Sequence, residues 1–312
     1  MFDPEEFVEN KVRWLKDEVG GRKSVVAVSG GVDSTTTAVL GHIALGKNLD
    51  VVFIDDGLMR EGEPSRVSKI FEQLGIKIEV RKVDERFFAA LKGKTDPEEK
   101  RRAFRDIFYR CLGEITKEMG ASCLLQGTIA ADIVETRKGV KTQHNVLEQI
   151  GIDAVQEYGF KVVEPLKELY KHEVRAVAKE LGLPREVFDR RPFPGPGLAL
   201  RVIGEVTPDR VEKVRKVTSI VEEETAETSC FQSFAVLMQD RATGIDAEGD
   251  RNYGEIVVVR VVDSVDAMTA QPTRLSWESM KKIEERIVGE VPSIVRVLYD
   301  ISPKPPATIE FE

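Results

Sequence analysis

Cysteine is scarce in this chain of 312 residues, and what there is does not pair. Cys111, Cys123 and Cys230 are odd in number and form no C-x-x-C unit. That excludes a disulfide framework and a paired-thiolate zinc site, and it points to a reducing compartment. Positive charge is also short: 46 Lys and Arg stand against 54 Asp and Glu, a net charge of −8. A dominant electrostatic footprint for nucleic acid is excluded, leaving room only for a local basic patch. No apolar run reaches membrane length, and a start containing Asp3, Glu5 and Glu6 lacks the pattern of a secretory leader. The expectation is a cytoplasmic protein that engages neither nucleic acid nor membrane. What is present, 41% hydrophobic and 32% charged residues, describes a globular protein with a densely charged surface. The length exceeds one ordinary core, so two domains are expected.

The most informative stretch is Ser29-Gly30-Gly31-Val32-Asp33-Ser34-Thr35. It follows the apolar run Ser24–Val28 and opens a segment with helical periodicity at Thr36, Val39, Leu40 and Ile43. Adjacent glycines admit backbone conformations closed to other residues and let an anion approach closely. Successive N–H groups and the helix N-terminus then favour negative charge, while Ser29, Ser34 and Thr35 bring hydroxyls. The loop reads as a phosphate cradle. It lacks the lysine of a Walker A loop and the spacing of G-x-G-x-x-G. A tight turn capped by Asp33 is the plainer alternative.

Taken in order, Pro4–Val19 has helical spacing and Val51–Ile54 reads as a buried strand ending in Asp55-Asp56-Gly57. A carboxylate at a strand's carboxyl end suits a ribose, an adenine amino group or a metal, and Asp55 is the candidate; Asp56 reads as turn punctuation. A helix near Pro64–Leu74, a strand over Lys77–Val83, a long helix from Pro97 and strands at Ser122–Gln126 and Lys161–Glu164 follow. This alternation predicts a doubly wound, mostly parallel sheet. Lys100-Arg101-Arg102 in the first turns of the long helix oppose its dipole, which suggests either a substrate phosphate or solvated surface charge. After Gly127-Thr128, Asp132 and Glu135 share one face if that turn is helical. Arg137, Lys138, Lys141 and His144 follow among glycines 139, 151 and 159, a pattern that suits a mobile lid or an ordinary surface loop. His172 reads as exposed.

Three prolines and two glycines in Arg191–Leu198 place a boundary there, giving domains 1–190 and 191–312. Beyond it, a helix capped by Thr207-Pro208, strands at Phe231–Gln239, Ile256–Val262 and Ile294–Ile301, and a helix with stripe Trp277, Met280, Ile283 and Ile287 predict a small α+β domain. Alternation in the last strand puts Arg296 opposite Val295, Val297 and Tyr299. So thin a domain leaves a sheet face needing cover, which suggests a homodimer.

The segments SGGVDST from Ser29, FIDDGL from Phe53, QGTIAADIVET from Gln126, KTQHNV from Lys141, VEPLKELYKHEVR from Val163, RPFPGPGLALRV from Arg191 and KPPATIEFE from Lys304 carry a resemblance. Together they resemble the ATP-pyrophosphatase part of GMP synthetase over essentially the whole chain. Ala131, Pro303 and Phe311 are mild departures. The resemblance implies an adenine nucleotide alpha hydrolase-like, PP-loop fold with a smaller C-terminal dimerisation domain. It implies that ATP adenylates xanthosine 5′-monophosphate (XMP) and that ammonia then displaces AMP to give GMP. Ser29, Gly30, Gly31, Val32, Asp33, Ser34 and Thr35 would bind the ATP phosphates, with Asp55 and Gly127 beside the nucleotide. Asp132 and Glu135 would serve magnesium and the reacting centre, and Lys141 with His144 would close over the intermediate. Arg296, Lys304, Ile309 and Glu310, with Arg101, would hold XMP. The three cysteines have no histidine close in sequence, so the expectation is a synthetase subunit fed by a separate glutaminase. Another PP-loop pyrophosphatase, or a non-catalytic nucleotide-binding module, is the competing reading.

Overall fold

The computed structural model describes residues 2–137, 154–245, 249–265 and 267–312. In chain order the first elements are α1 (Pro4–Val19), β1 (Ser24–Ala27), α2 (Val32–Leu45), β2 (Leu49–Asp55), α3 (Glu63–Gln73), β3 (Ile78–Lys82) and α4 (Asp84–Leu91). Then come α5 (Pro97–Glu118), β4 (Cys123–Leu125), α6 (Ala130–Arg137), α7 (Ala154–Tyr158), β5 (Lys161–Val163), α8 (Lys171–Glu180) and α9 (Arg185–Phe188). The remainder forms α10 (Pro208–Glu224), β6 (Gln232–Ile245), β7 (Arg251–Asp263), β8 (Gln271–Pro272), α11 (Trp277–Glu290) and β9 (Ile294–Tyr299). Two compact units result. One comprises Met1–Asp56, Gly62–Asp84 and Arg105–Arg190, the other Gly57–Glu61, Glu85–Phe104 and Arg191–Glu312. The two excursions, 57–61 and 85–104, carry no composition signal that would assign them to the second unit.

The first unit is a parallel five-stranded sheet in the order β3-β2-β1-β4-β5. Its strands are continuous apolar runs, with Val25, Val26, Val51, Val52, Phe53, Ile54, Leu124 and Leu125 all buried, as a sheet covered on both faces requires. The chain winds outward from β1 through β2 to β3, then returns to β4 on the other side of β1. This reversal makes β1 and β4 the topological switch point, beyond whose carboxyl ends an open α/β sheet binds ligands. Helix α1 starts where the Asp3 carboxylate accepts from the N–H groups of Glu5 and Glu6 and stops at left-handed Gly20.

The second unit is built on a long antiparallel hairpin, β6 with β7. The expected strands there, 231–239 and 256–262, capture only the hairpin's buried halves. Its exposed outer half carries polar residues and lacks the alternation that flags a strand. The other edge of β7 pairs with β8 (antiparallel) and β9 (parallel). Helix α10, capped by the Thr207 hydroxyl, buries Val211, Val214, Val217, Ile220 and Val221. In α11 only Ile283 and Ile287 are buried; Trp277, assigned to the same stripe by spacing, is 77% exposed. As the first residue of the helix it lies beyond the packed turns.

Candidate active site

The phosphate loop leaves β1 and enters α2 at Gly31, and no side chain caps that end. The first-turn N–H groups therefore remain for a ligand, where the helix dipole favours an anion. Local bonds hold the loop open. The Ser34 hydroxyl accepts from the Ser29 N–H (3.1 Å), donates to the Gly31 carbonyl (3.2 Å) and lies 3.2 Å from the Ser29 hydroxyl. Gly30 has φ +74°, and a Cβ there would stand 2.6 Å from Val67 Cγ2 and 2.7 Å from Glu63 Oε1. Both backbone and space demand glycine. Gly127, beyond β4, is equally constrained: a Cβ would meet the Asp33 carbonyl carbon and the Ser34 nitrogen at 2.9 Å each. The ends of β1 and β4 are thus in backbone contact around the loop.

Asp33 carries the main charge of the loop. Its Oδ2 accepts from the Lys171 ammonium at 2.6 Å, while Oδ1 is buried with no partner among the described residues. Burial pushes its carboxyl above the usual carboxylate range; the Lys171 ammonium pulls back, and the nearby Asp132 carboxylate adds to the rise. Asp132 lies in the first turn of α6, where its Oδ2 accepts from the Ile129 N–H at 3.0 Å. The Thr35 hydroxyl is buried and unpartnered among the described residues. An orphaned carboxylate oxygen with a second carboxylate in electrostatic range fits magnesium, which takes one or two carboxylates together with substrate phosphates. Among the described residues no group of three or more His, Cys, Asp or Glu could hold a metal ion by itself.

The remaining first-unit candidates divide. Asp55 ends β2 half-buried, its carbonyl accepting from the Val83 N–H at 2.9 Å. Asp56, read from sequence as turn punctuation, is 1% exposed. Glu135 lies in α6. Lys141 and His144 lie outside the described residues. His172 is exposed, stacked with Tyr170. Two contributors were not singled out from sequence. Lys171 is 138 residues from Asp33, and local spacing gives no sign of their pairing. Glu63 is buried and forms a two-pronged ion pair with Arg190 behind Gly30.

In the second unit, Lys304 exchanges backbone hydrogen bonds with Ala270 in both directions and donates from Nζ to the Ala267 carbonyl at 2.8 Å. Ile309 is buried in a core cluster with Phe234, Val236, Val258, Val262 and Ala270, so its side chain is structural. Glu310 accepts from Arg201 and from the Gln232 amide (2.6 Å). Arg296 is exposed on β9. Arg101 pairs with Glu98, and its Nε is buried without a partner among the described residues. Neither sequence reading of Lys100 holds: its side chain is fully buried, bonded to Glu312 (2.5 Å) and the Val202 carbonyl (2.7 Å). Its partners lie over a hundred residues away, beyond the reach of a helix-dipole argument. Cys111 and Cys123 are buried, and Cys230 only partly so.

Residues 4–185 match the PP-loop domain family and residues 218–311 the GMP synthase C terminal domain family. The ATP-pyrophosphatase subunit of GMP synthase (glutamine-hydrolyzing) from Methanopyrus kandleri is 49% identical over 323 residues, spanning 100% of both chains. The chain belongs to the family of GMP synthase ATP-pyrophosphatase subunits. The Archaeoglobus fulgidus protein of the same name is 50% identical, covering 99% of this chain and 100% of its own. The Pyrococcus furiosus one is 48% identical, covering 99% and 97%. Members of this family are ligases, and this chain carries both parts of their architecture, the ATP-using PP-loop domain and the GMP synthase C-terminal domain. Among solved structures, NMN synthetase from Francisella tularensis aligns with a TM-score of 0.49 at 19% identity, over 68% of this chain and 86% of that one.

Proposed function

We propose that this chain uses ATP to adenylate the C2 oxygen of XMP, releases pyrophosphate, and aminates the adenylated carbon with ammonia from a separate glutaminase subunit, giving GMP and AMP. The observation that carries the reading is the pairing, in one chain, of a phosphate cradle at the β1/β4 switch point with the GMP synthase C-terminal domain. The C2 oxygen is a poor leaving group until AMP is attached, so the protein must bind pyrophosphate as it departs. The α2 N-terminus, the Ser34 hydroxyl and the Lys171 ammonium suit that task, because they are donors fixed before the charge develops. Magnesium, held by Asp132 and Asp33 with the phosphate oxygens, would neutralise part of the same charge.

Glu135, Lys141 and His144 are proposed to act at the reacting centre and over the intermediate. Arg101, Arg296, Lys304 and Glu310 are proposed to bind XMP, with Ile309 fixing the tail they stand on. The functional domains are taken as 1–190 and 191–312. A homodimer through the second unit is supported by exposed Ile245, Tyr253 and Leu298 on its strands. A cytoplasmic site of action accords with free cysteines and with the absence, among the described residues, of any helix long and apolar enough to cross a membrane.

The test is pyrophosphate release by the pure chain against XMP, inosine monophosphate and other acceptors, with ammonium or glutamine as nitrogen donor. Release with XMP and ammonium alone is expected. Turnover with a different acceptor in place of XMP would favour another PP-loop pyrophosphatase, and nucleotide binding without turnover would favour a binding module. Turnover from glutamine by the isolated chain would overturn the assignment of ammonia supply to a second protein.

A further inference from the structure

Arg201 is among the largest fully buried side chains in the second unit, with 0% side-chain exposure. Its Nε donates to Glu310 Oε2 (3.1 Å) and its Nη2 to Glu310 Oε1 (3.0 Å), a two-pronged grip on one carboxylate. Its guanidinium lies over two phenyl rings, 4.1 Å from the centroid of Phe234 and 4.8 Å from that of Phe193. The third nitrogen, Nη1, is buried without a partner among the described residues, so the side chain's hydrogen bonding is given to Glu310 alone. The backbone before Glu310 is fixed by a second buried arginine: Arg260 donates to the carbonyls of Thr308 (2.7 Å) and Ile309 (2.8 Å).

Exposure separates the two members of the pair. Glu310 keeps 18% of its side chain accessible, while Arg201 has none. A ligand can therefore touch the carboxylate but not the guanidinium. We infer that Arg201 is a positioning residue, which sets the direction and depth of the Glu310 carboxylate and through it the affinity for the acceptor nucleotide. The inference rests on the reading that the 304–310 tail binds XMP. Planarity and stacking are the properties that matter. Lysine, a point charge without a fork, would keep the sign and lose the aim. A misplacement of about 1 Å in a binding group is enough to weaken a reaction a hundredfold.

The experiment is steady-state pyrophosphate release with ammonium present, varying XMP and ATP separately, for Arg201→Lys, Phe193→Leu and Glu310→Ala, with thermal unfolding in parallel. Arg201→Lys is expected to raise KM for XMP at least tenfold while KM for ATP stays within about twofold. Phe193→Leu leaves the buried charge in place and only loosens its seat. It is expected to give a smaller rise for XMP alone, and it serves as the test should Arg201→Lys fail to fold. The double variant Arg201→Lys/Glu310→Ala is expected to match Glu310→Ala, because a positioning residue has nothing left to position. Equal changes in both KM values, or an unchanged KM for XMP in Arg201→Lys and Phe193→Leu, would overturn the inference. If Glu310→Ala itself leaves KM for XMP unchanged, the acceptor-site reading fails, and the inference fails with it.

Discussion

Lys171 Nζ stands 2.6 Å from Asp33 Oδ2, joining the first turn of α8 to the first turn of α2 across 138 residues of chain. Asp33 is half-withdrawn from water in a loop that also offers bare N–H groups to phosphate. A carboxylate there would repel ATP unless a cation stood beside it. Lys171 supplies that cation and remains at hand as negative charge builds on the leaving pyrophosphate. Lys171→Met is expected to lower kcat for pyrophosphate release by roughly 10²–10³, the usual cost of losing one preorganised donor. Lys171→Arg should recover part of it. Pyrophosphate release at saturating ATP and XMP is the measurement, and a kcat within twofold of the parent would remove Lys171 from the site.

The same pair makes a pH prediction. Burial raises the Asp33 carboxyl above its value in an unfolded chain, despite Lys171. Between the unfolded and the folded pKa the native state holds more protons, so this group's contribution to stability falls as pH rises through that window. Above it the ionised carboxylate is a standing cost. Asp33→Asn should therefore raise the melting temperature of the ligand-free protein at pH 7 to 8, by a few degrees for a gain of about 1 kcal/mol. The gain should shrink as pH falls toward 4, where aspartate is itself protonated. Thermal unfolding across that range checks it; a gain that grows on acidification would contradict the sign. The same variant should lose pyrophosphate release.

How much of this was legible in the sequence follows from the range of each interaction. The phosphate loop was, because its glycines, its hydroxyls and the strand and helix around it lie within a dozen residues. The parallel sheet was, because strands buried on both faces are continuous apolar runs. The partners of the loop were not. Lys171, Glu63 and Arg190 reach it only through the winding of β1, α3 and α8, and nothing near them in sequence differs from an ordinary charged surface. Lys100 shows the same limit in reverse: it stands in a run of three cations, yet Glu312 and the Val202 carbonyl bury it. The outer half of the β6–β7 hairpin was missed because it is solvent-exposed on both sides and carries no apolar alternation.

The Lys100–Glu312 pair predicts a stability cycle. Burial lowers the lysine's pKa and raises the glutamate's, so each charge is tolerated only because of the other. Glu312→Gln or Lys100→Met alone leaves an uncompensated buried charge, at an expected cost of about 3–5 kcal/mol. The double variant removes both charges and should be nearer the parent than either single change. Denaturant unfolding of the four proteins measures the coupling. Additive losses would mean that the two side chains do not depend on one another.

Lys304 allows the sharpest test of the acceptor site, because its backbone and side chain do separable things. Its N–H and carbonyl are both bonded to Ala270, at 2.8 and 3.1 Å, so the strand-like bridge persists whatever side chain is present. The ammonium reaches only the Ala267 carbonyl, a single neutral acceptor that leaves its charge unbalanced by that contact. A nucleotide phosphate would supply the missing counter-charge. Deleting the tail is a poor test, since it would strip Glu310 from Arg201 and Glu312 from Lys100 and expose two buried cations. Lys304→Ala avoids that. It is expected to weaken XMP binding at least tenfold, about 1.4 kcal/mol, while ATP binding changes little. Calorimetric titration of each nucleotide separately gives both numbers. Equal loss of both would make Lys304 structural, and unchanged XMP binding would move the acceptor phosphate away from this tail.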